Sequence, residues 1–251
     1  MISIAKSRLS KTVASRRADM NRATTILIVG LVLVCGLLFP TAASAHDVSG
    51  RDASFVQSIN GAAIAPFLYL GAKHMVTGYD HLAFLVGVIF FLYRIKDVVQ
   101  YVSLFTLGHS ITLLAGVLGG IHANSYVVDA IIGFSVVYKA FDNMDGFKRF
   151  LGFEPNTKLA VLIFGLFHGF GLATKLQQLD LSKNGLVTNI VSFNVGVEIG
   201  QVLALTAVLI ALSYWRTRSG FLRHAFATNA LLMTVGFVLT GYQIAGYYLG
   251  S

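Results

Sequence analysis

The chain has 251 residues, 55% of them hydrophobic and only 12% charged, where a soluble domain carries about 25% charged residues. A mean hydropathy of +0.72 excludes a water-soluble domain and describes an all-α polytopic membrane protein whose surroundings are the lipid bilayer. The formal net charge of +8 comes from cations in the first 22 residues and in short loops between apolar runs. That distribution sets topology rather than a nucleic-acid face. Cys35 is the only cysteine, so a disulfide frame and a thiolate metal site are both excluded.

In chain order, residues 1–25 are basic and polar, and an apolar run then leads to Ala43-Ser44-Ala45. These features predict a signal peptide over 1–45, with an uncleaved signal anchor as the alternative. Cleavage would leave His46-Asp47 at the new terminus, where an α-amine beside imidazole can chelate Cu(II) or Ni(II); the preferred reading is that His46 merely follows a cleavage site. Residues 46–61 form a short exported segment, and the transmembrane domain occupies 62–251. The stretch 62–93 is too long for one perpendicular span. It reads as an interfacial or re-entrant helix at about 63–77 and a first span at about 79–94.

Further spans are expected at about 99–119, 125–142, 158–176, 188–213 and 226–248, about six in all. Arg94, Lys96, Lys148, Arg149, Lys158, Arg216, Arg218 and Arg223 then lie inside, and Arg51, Lys73, Lys175 and Lys183 outside. Eight cations against four place both mature termini outside a bacterial inner membrane.

An ionisable side chain within a span is costly and marks function. His74, Asp80 and His81 stand at the mouth of an apolar run, and on a helix His74 and His81 recur at i and i+7. Asp80 joins them only if the helix starts or bends near Gly78-Tyr79-Asp80. His109 lies in FTLGHSIT with Thr106, Ser110 and Thr112, and His168 lies between glycines in FHGFG. Asn194, Glu198 and Gln201 make a polar stripe at i, i+4 and i+7. A buried Glu198 needs a cation or a proton, and a metal shared with His109 or His168 would supply the cation.

Imidazole and carboxylate suit nickel, cobalt, zinc or copper. Thr106, Ser110, Asn194 and Gln201 are either supports around such a site or hydrogen-bonding glue between helices. Glycines four apart at 116/120, 165/169 and 196/200 allow close helix approach. Asp129 and Lys139 read as structural, His122 as a loop residue and His224 as an interface anchor. Tyr138 and Asn143 frame the inner end.

Four motifs in this order, His74-x5-Asp80-His81, FTLGHSITL, FGLFHGFGLA and FNVGVEIGQ, resemble the HupE/UreJ membrane proteins over about residues 60–250. The resemblance implies a secondary permease supplying nickel or cobalt to enzymes such as hydrogenase or urease. It makes His74, Asp80 and His81 the metal-recognition residues, to which His109, His168 and Glu198 are added as further ligands. Val128-Asp129 departs from the valine–glutamate pair expected of the family. No phosphate-binding G-x-x-x-x-G-K-[ST] and no H-E-x-x-H motif occurs, so transport would be gradient-driven or depend on another subunit, and an H-E-x-x-H protease is excluded. Homo-oligomers or metalloenzyme-maturation proteins are the partners such a permease implies. An intramembrane haem or metal oxidoreductase, and an accessory or sensing subunit that binds metal without moving it, are the rival readings.

Overall fold

The structure, a computed structural model, describes residues 50–249 apart from Asp180. The expected signal peptide and the expected His46-Asp47 terminus lie outside those residues. Every regular element among the described residues is helical. A short helix, α1 (Gly50–Ser58), lies in the segment read as exported and buries Val56. Then come α2 (Ile64–Thr77), α3 (Tyr79–Ile89), α4 (Ile95–Gly119) and α5 (Ser125–Asn143). A π-helical turn, Phe147–Leu151, precedes α6 (Thr157–Gln177), α7 (Leu186–Arg216) and α8 (Phe221–Leu249).

The helix boundaries follow from local chemistry. Asn124 and Asn156 accept from the backbone N–H groups of Val127 and Leu159, capping α5 and α6 as Asn does at such ends. Gly120, in the left-handed region at φ 62°, stops α4. Among the described residues, four helices, α4, α6, α7 and α8, are long and apolar enough to cross a bilayer. Asp129, Lys139 and Asp142 make α5 more polar.

Three helix pairs build the bundle. Helix α2 runs parallel to α7: the Ala63 N–H donates to Asn189 at one end (2.7 Å), and Leu68 and Ala72 meet Gly196 and Gly200 further on. Helix α4 runs parallel to α6, with Phe105 against Gly165 and His109 against Gly169. Helix α5 runs antiparallel to α8, since Asn143 meets Asn229 while Tyr126 meets Gly246. Backbones touch at these places because the side chain is a single hydrogen. A Cβ at Gly196 would lie 2.0 Å from the Leu68 carbonyl oxygen, and one at Gly169 2.0 Å from that of His109. The expected pairing of Gly116 with Gly120 is corrected in part: Gly116 packs on Ala173, while Gly120 has nothing within 4 Å. Gly108, packed on Leu162 and Leu166, takes up the close approach instead.

The expectation for residues 63–94 also changes. Helix α2, read as interfacial or re-entrant, packs lengthwise on α7. Helix α3 has only 11 residues, about 16 Å, and ends five residues earlier than the span expected there. The break between them is Gly78, at φ −74° and ψ 89°. At the far end, Arg216 of α7 donates to the carbonyls of Leu92 (2.9 Å), Ile89 (2.5 Å) and Phe90 (2.7 Å). Together α2 and α3 therefore follow α7 from Asn189 to Arg216 as one rod broken in the middle. A guanidinium holds the carbonyls at its end, as helix C-termini require.

Candidate metal-ion site

The break at Gly78 sets the site. It ends α2 one turn after His74 and starts α3 with Asp80 and His81 in its first turn. The two imidazoles meet edge to face at 5.3 Å between ring centroids, across the break rather than along one continuous helix. The glycine contacts between α4 and α6 bring two more rings alongside. His81 lies 5.8 Å from His109 and 4.8 Å from His168. His81, His109 and His168 are 3%, 1% and 0% exposed, and His74 is half-buried. Four separate helices thus each give one imidazole to a cluster at mid-depth of the bundle.

Hydrogen bonds decide which ring nitrogens are left to act as ligands. Asp80 Oδ1 lies 2.8 Å from His81 Nδ1 and also accepts from the His81 backbone N–H at 2.7 Å. A carboxylate there makes Nδ1 the protonated nitrogen and Nε2 the lone-pair donor. His168 Nδ1 lies 2.7 Å from the Phe164 carbonyl; a carbonyl only accepts, so this ring too keeps its lone pair on Nε2. Tethering one nitrogen to a carboxylate or carbonyl is how proteins orient a metal-binding histidine. His81 Nε2 and both nitrogens of His109 are buried outside hydrogen-bonding geometry with any partner, although Asn194 stands close to His109. Buried polar atoms in that condition call for an explanation, a ligand among them. As they stand, no three or more His, Cys, Asp or Glu among the described residues are arranged to hold a metal ion. Imidazole nitrogens reach a transition metal at about 2.0–2.1 Å, so these rings must turn to bind one.

A family model described as HupE / UreJ protein matches residues 50–251. The chain belongs to the HupE/UreJ family. Membership points to a membrane protein concerned with nickel or cobalt. Comparison with curated proteins and with solved structures gives no match.

In this HupE/UreJ protein the sequence-predicted site divides into three parts. His74, Asp80, His81, His109 and His168 come together, with Asp80 oriented towards His81. Thr106, Ser110, Asn194 and Gln201 form a polar seam between α4 and α7 that borders the cluster where Asn194 stands close to His109. Gln201 donates to Thr106 at 2.8 Å and Asn194 to Ser110 at 2.9 Å. Thr112 turns the other way and donates to the Leu166 carbonyl at 2.6 Å. Glu198 stands apart: it is exposed on α7, turned outward from the edge of that seam rather than towards the imidazoles.

Asp129 and Lys139, read as structural, are partnered: Lys175 pairs with Asp129 at 2.9 Å and Lys139 with Asp142 at 2.5 Å. Asn143, expected at the inner end, donates to the Gly87 carbonyl and to Asn229, both at 2.8 Å.

Aromatic residues that no sequence motif singled out surround the cluster. Phe105 packs on His81, His109 and His168, Phe84 on His168, and Phe193 on His74. A signal for Phe105 was present in F-x3-H, which occurs at Phe105/His109 and again at Phe164/His168. Residues four apart share a helix face.

Proposed function

We propose that this protein is a secondary permease for a divalent transition-metal ion in the bacterial inner membrane, nickel or cobalt first, with zinc and copper as the other candidates. The observation that carries the proposal is the convergence of four imidazoles from α2, α3, α4 and α6 at the break in the α2–α3 rod. Discontinuous helices that place a site near the bilayer midplane are a recurrent plan among transporters. The ligand type fits the cargo, because neutral imidazole serves nickel, cobalt, zinc and copper alike. Rings that must turn to coordinate suit an ion that has to leave again, since conduction needs weak or transient sites.

Six crossings follow if α2 and α3 together count as one and α5 as another. Inward and outward directions then alternate, in keeping with the parallel α2/α7 and α4/α6 pairs and the antiparallel α5/α8 pair. Arg94, Lys148, Arg149, Arg216 and Arg218 fall on one side, the cytoplasmic one by the positive-inside bias. The ion would meet His74 first, pass to His81, and leave past His109 and His168. With no nucleotide-binding motif, a gradient drives it. The role is transport rather than catalysis, and Asp80 serves by holding His81.

The test is uptake of Ni²⁺, Co²⁺, Zn²⁺ and Cu²⁺ into proteoliposomes by the wild type and a His74→Ala/His81→Ala double variant. Uptake of one ion that the double variant loses is the expected result. Binding without uptake would replace the permease with an accessory metal-binding subunit. A haem absorbance band in the purified protein with no metal binding would replace it with an oxidoreductase.

A further inference from the structure

On each of three helices, a phenylalanine stands one turn from a histidine of the cluster. They are Phe84, three residues after His81, Phe105, four before His109, and Phe164, four before His168. Helix α3 runs in the opposite sense to α4 and α6. Three residues forward on α3 and four back on α4 and α6 are therefore displacements towards the same end of the bundle, the one where Arg216 holds the end of α3. The rings meet there. Phe84 lies 5.5 Å from Phe105 and 5.6 Å from Phe164 between centroids, and their exposures are 1%, 1% and 9%. The layer also touches the cluster directly, Phe105 at 5.0 Å and Phe84 at 5.4 Å from His168. Beyond it, Tyr138 of α5 closes on Phe164 at 5.2 Å. Towards the other end, the residues four positions away on α2, α4 and α6 are Leu70, Leu113 and Leu172, all buried, with Phe193 of α7 against His74.

We propose that Phe84, Phe105 and Phe164 form the cytoplasmic barrier of this protein, a three-ring layer that holds a hydrated ion at the histidine cluster until it opens. The side named rests on the topology given under Proposed function. Phe84 bridges Phe105 and Phe164, so the three phenyl rings present an apolar lining to water, and apolar constrictions of this kind gate by excluding it. Each ring is carried by a helix that also carries a ligand. His168 is moreover tied to the backbone of Phe164 by its Nδ1 hydrogen bond. A turn of the imidazoles on binding an ion is therefore transmitted to the rings that block the exit. On the opposite side the ring contact with the cluster is that of Phe193 with His74 alone, at 6.1 Å.

The experiment measures access rather than transport. In full-length protein carrying Cys35→Ser, His109→Cys places a thiol at the cluster. Its reaction with a positively charged, membrane-impermeant methanethiosulfonate is followed in inside-out and right-side-out vesicles. With all three phenylalanines present, modification from the cytoplasmic face is slow. Adding Phe84→Ala is expected to raise that rate by about tenfold or more by wetting the constriction, with the rate from the periplasmic face unchanged. Phe164→Leu, which keeps an apolar side chain at the least buried of the three positions, is run in parallel in case Phe84→Ala fails to accumulate. A smaller acceleration on the same face is expected from it. No acceleration in a membrane-inserted variant, or equal acceleration from both faces, would overturn the proposal. Acceleration only from the periplasmic face would overturn the side assigned. Loss of the permease reading would show separately as absent metal uptake by the wild type, which leaves the thiol rates as a test of the barrier.

Discussion

Gly169→Ala probes the contact that brings His109 and His168 together. The added Cβ would lie 2.0 Å from the His109 carbonyl oxygen, 2.5 Å from Thr112 Oγ1 and 2.7 Å from the His109 carbonyl carbon. Non-bonded heavy atoms sit about 3.5 Å apart, so α4 and α6 would have to part by roughly 1.5 Å. No side-chain rotation relieves a contact with backbone. Overpacking of this kind costs about 1–3 kcal/mol. Separation also stretches the 2.6 Å bond from Thr112 to the Leu166 carbonyl, worth about 1 kcal/mol. A loss of about 2–4 kcal/mol is expected in equilibrium unfolding from mixed micelles. Cobalt affinity should weaken alongside it, because two of the four imidazoles move apart. Gly241→Ala is the control: the glycine is helical with nothing within 4 Å, so stability should hold or rise slightly. Wild-type stability and cobalt affinity in Gly169→Ala would refute the claim that this backbone contact sets the site.

Asp80→Asn keeps shape but removes the charge that holds the His81 proton on Nδ1. Equilibrium dialysis with cobalt should show affinity about 10–100-fold lower; an unchanged affinity refutes the orienting role, and complete loss would make the carboxylate a direct ligand. Glu198→Gln should leave cobalt affinity within about twofold, because an exposed group away from the cluster contributes little, whereas a drop of about tenfold would bring Glu198 back into the site. Arg216→Gln removes a guanidinium from three carbonyls at the end of α3. Charge-assisted hydrogen bonds are worth about 1.5–3 kcal/mol, so amide exchange over residues 89–94 should accelerate, and protection equal to wild type would contradict the tether.

The histidines could be chosen from the sequence because an intramembrane ionisable group is costly wherever it falls. Their convergence was only half legible. Gly78 was a visible breaker, but whether α2 would lie on the membrane or along α7 depends on Gly71, Gly196 and Gly200, which matter only once the two helices are paired. Glu198 shows the same limit. Its spacing from Asn194 and Gln201 places it near their face, yet α4 meets α7 along Asn194 and Gln201 and leaves Glu198 outside the seam. Helical periodicity defines a face without naming the neighbour that will cover it. The phenylalanine layer was missed for a related reason. Phenylalanines are common in an apolar chain, and only the shared one-turn offset from three histidines distinguishes Phe84, Phe105 and Phe164 from ordinary core residues.

X-ray absorption of the cobalt-loaded protein, as wild type and as His109→Ala, tests the central claim most directly, because imidazole scattering reports the ligands themselves. A first shell dominated by imidazole nitrogens, reduced in His109→Ala, is the result the account predicts. A shell of oxygens without imidazole scattering, or one that His109→Ala leaves unaltered, would contradict it and place the ion elsewhere on the protein.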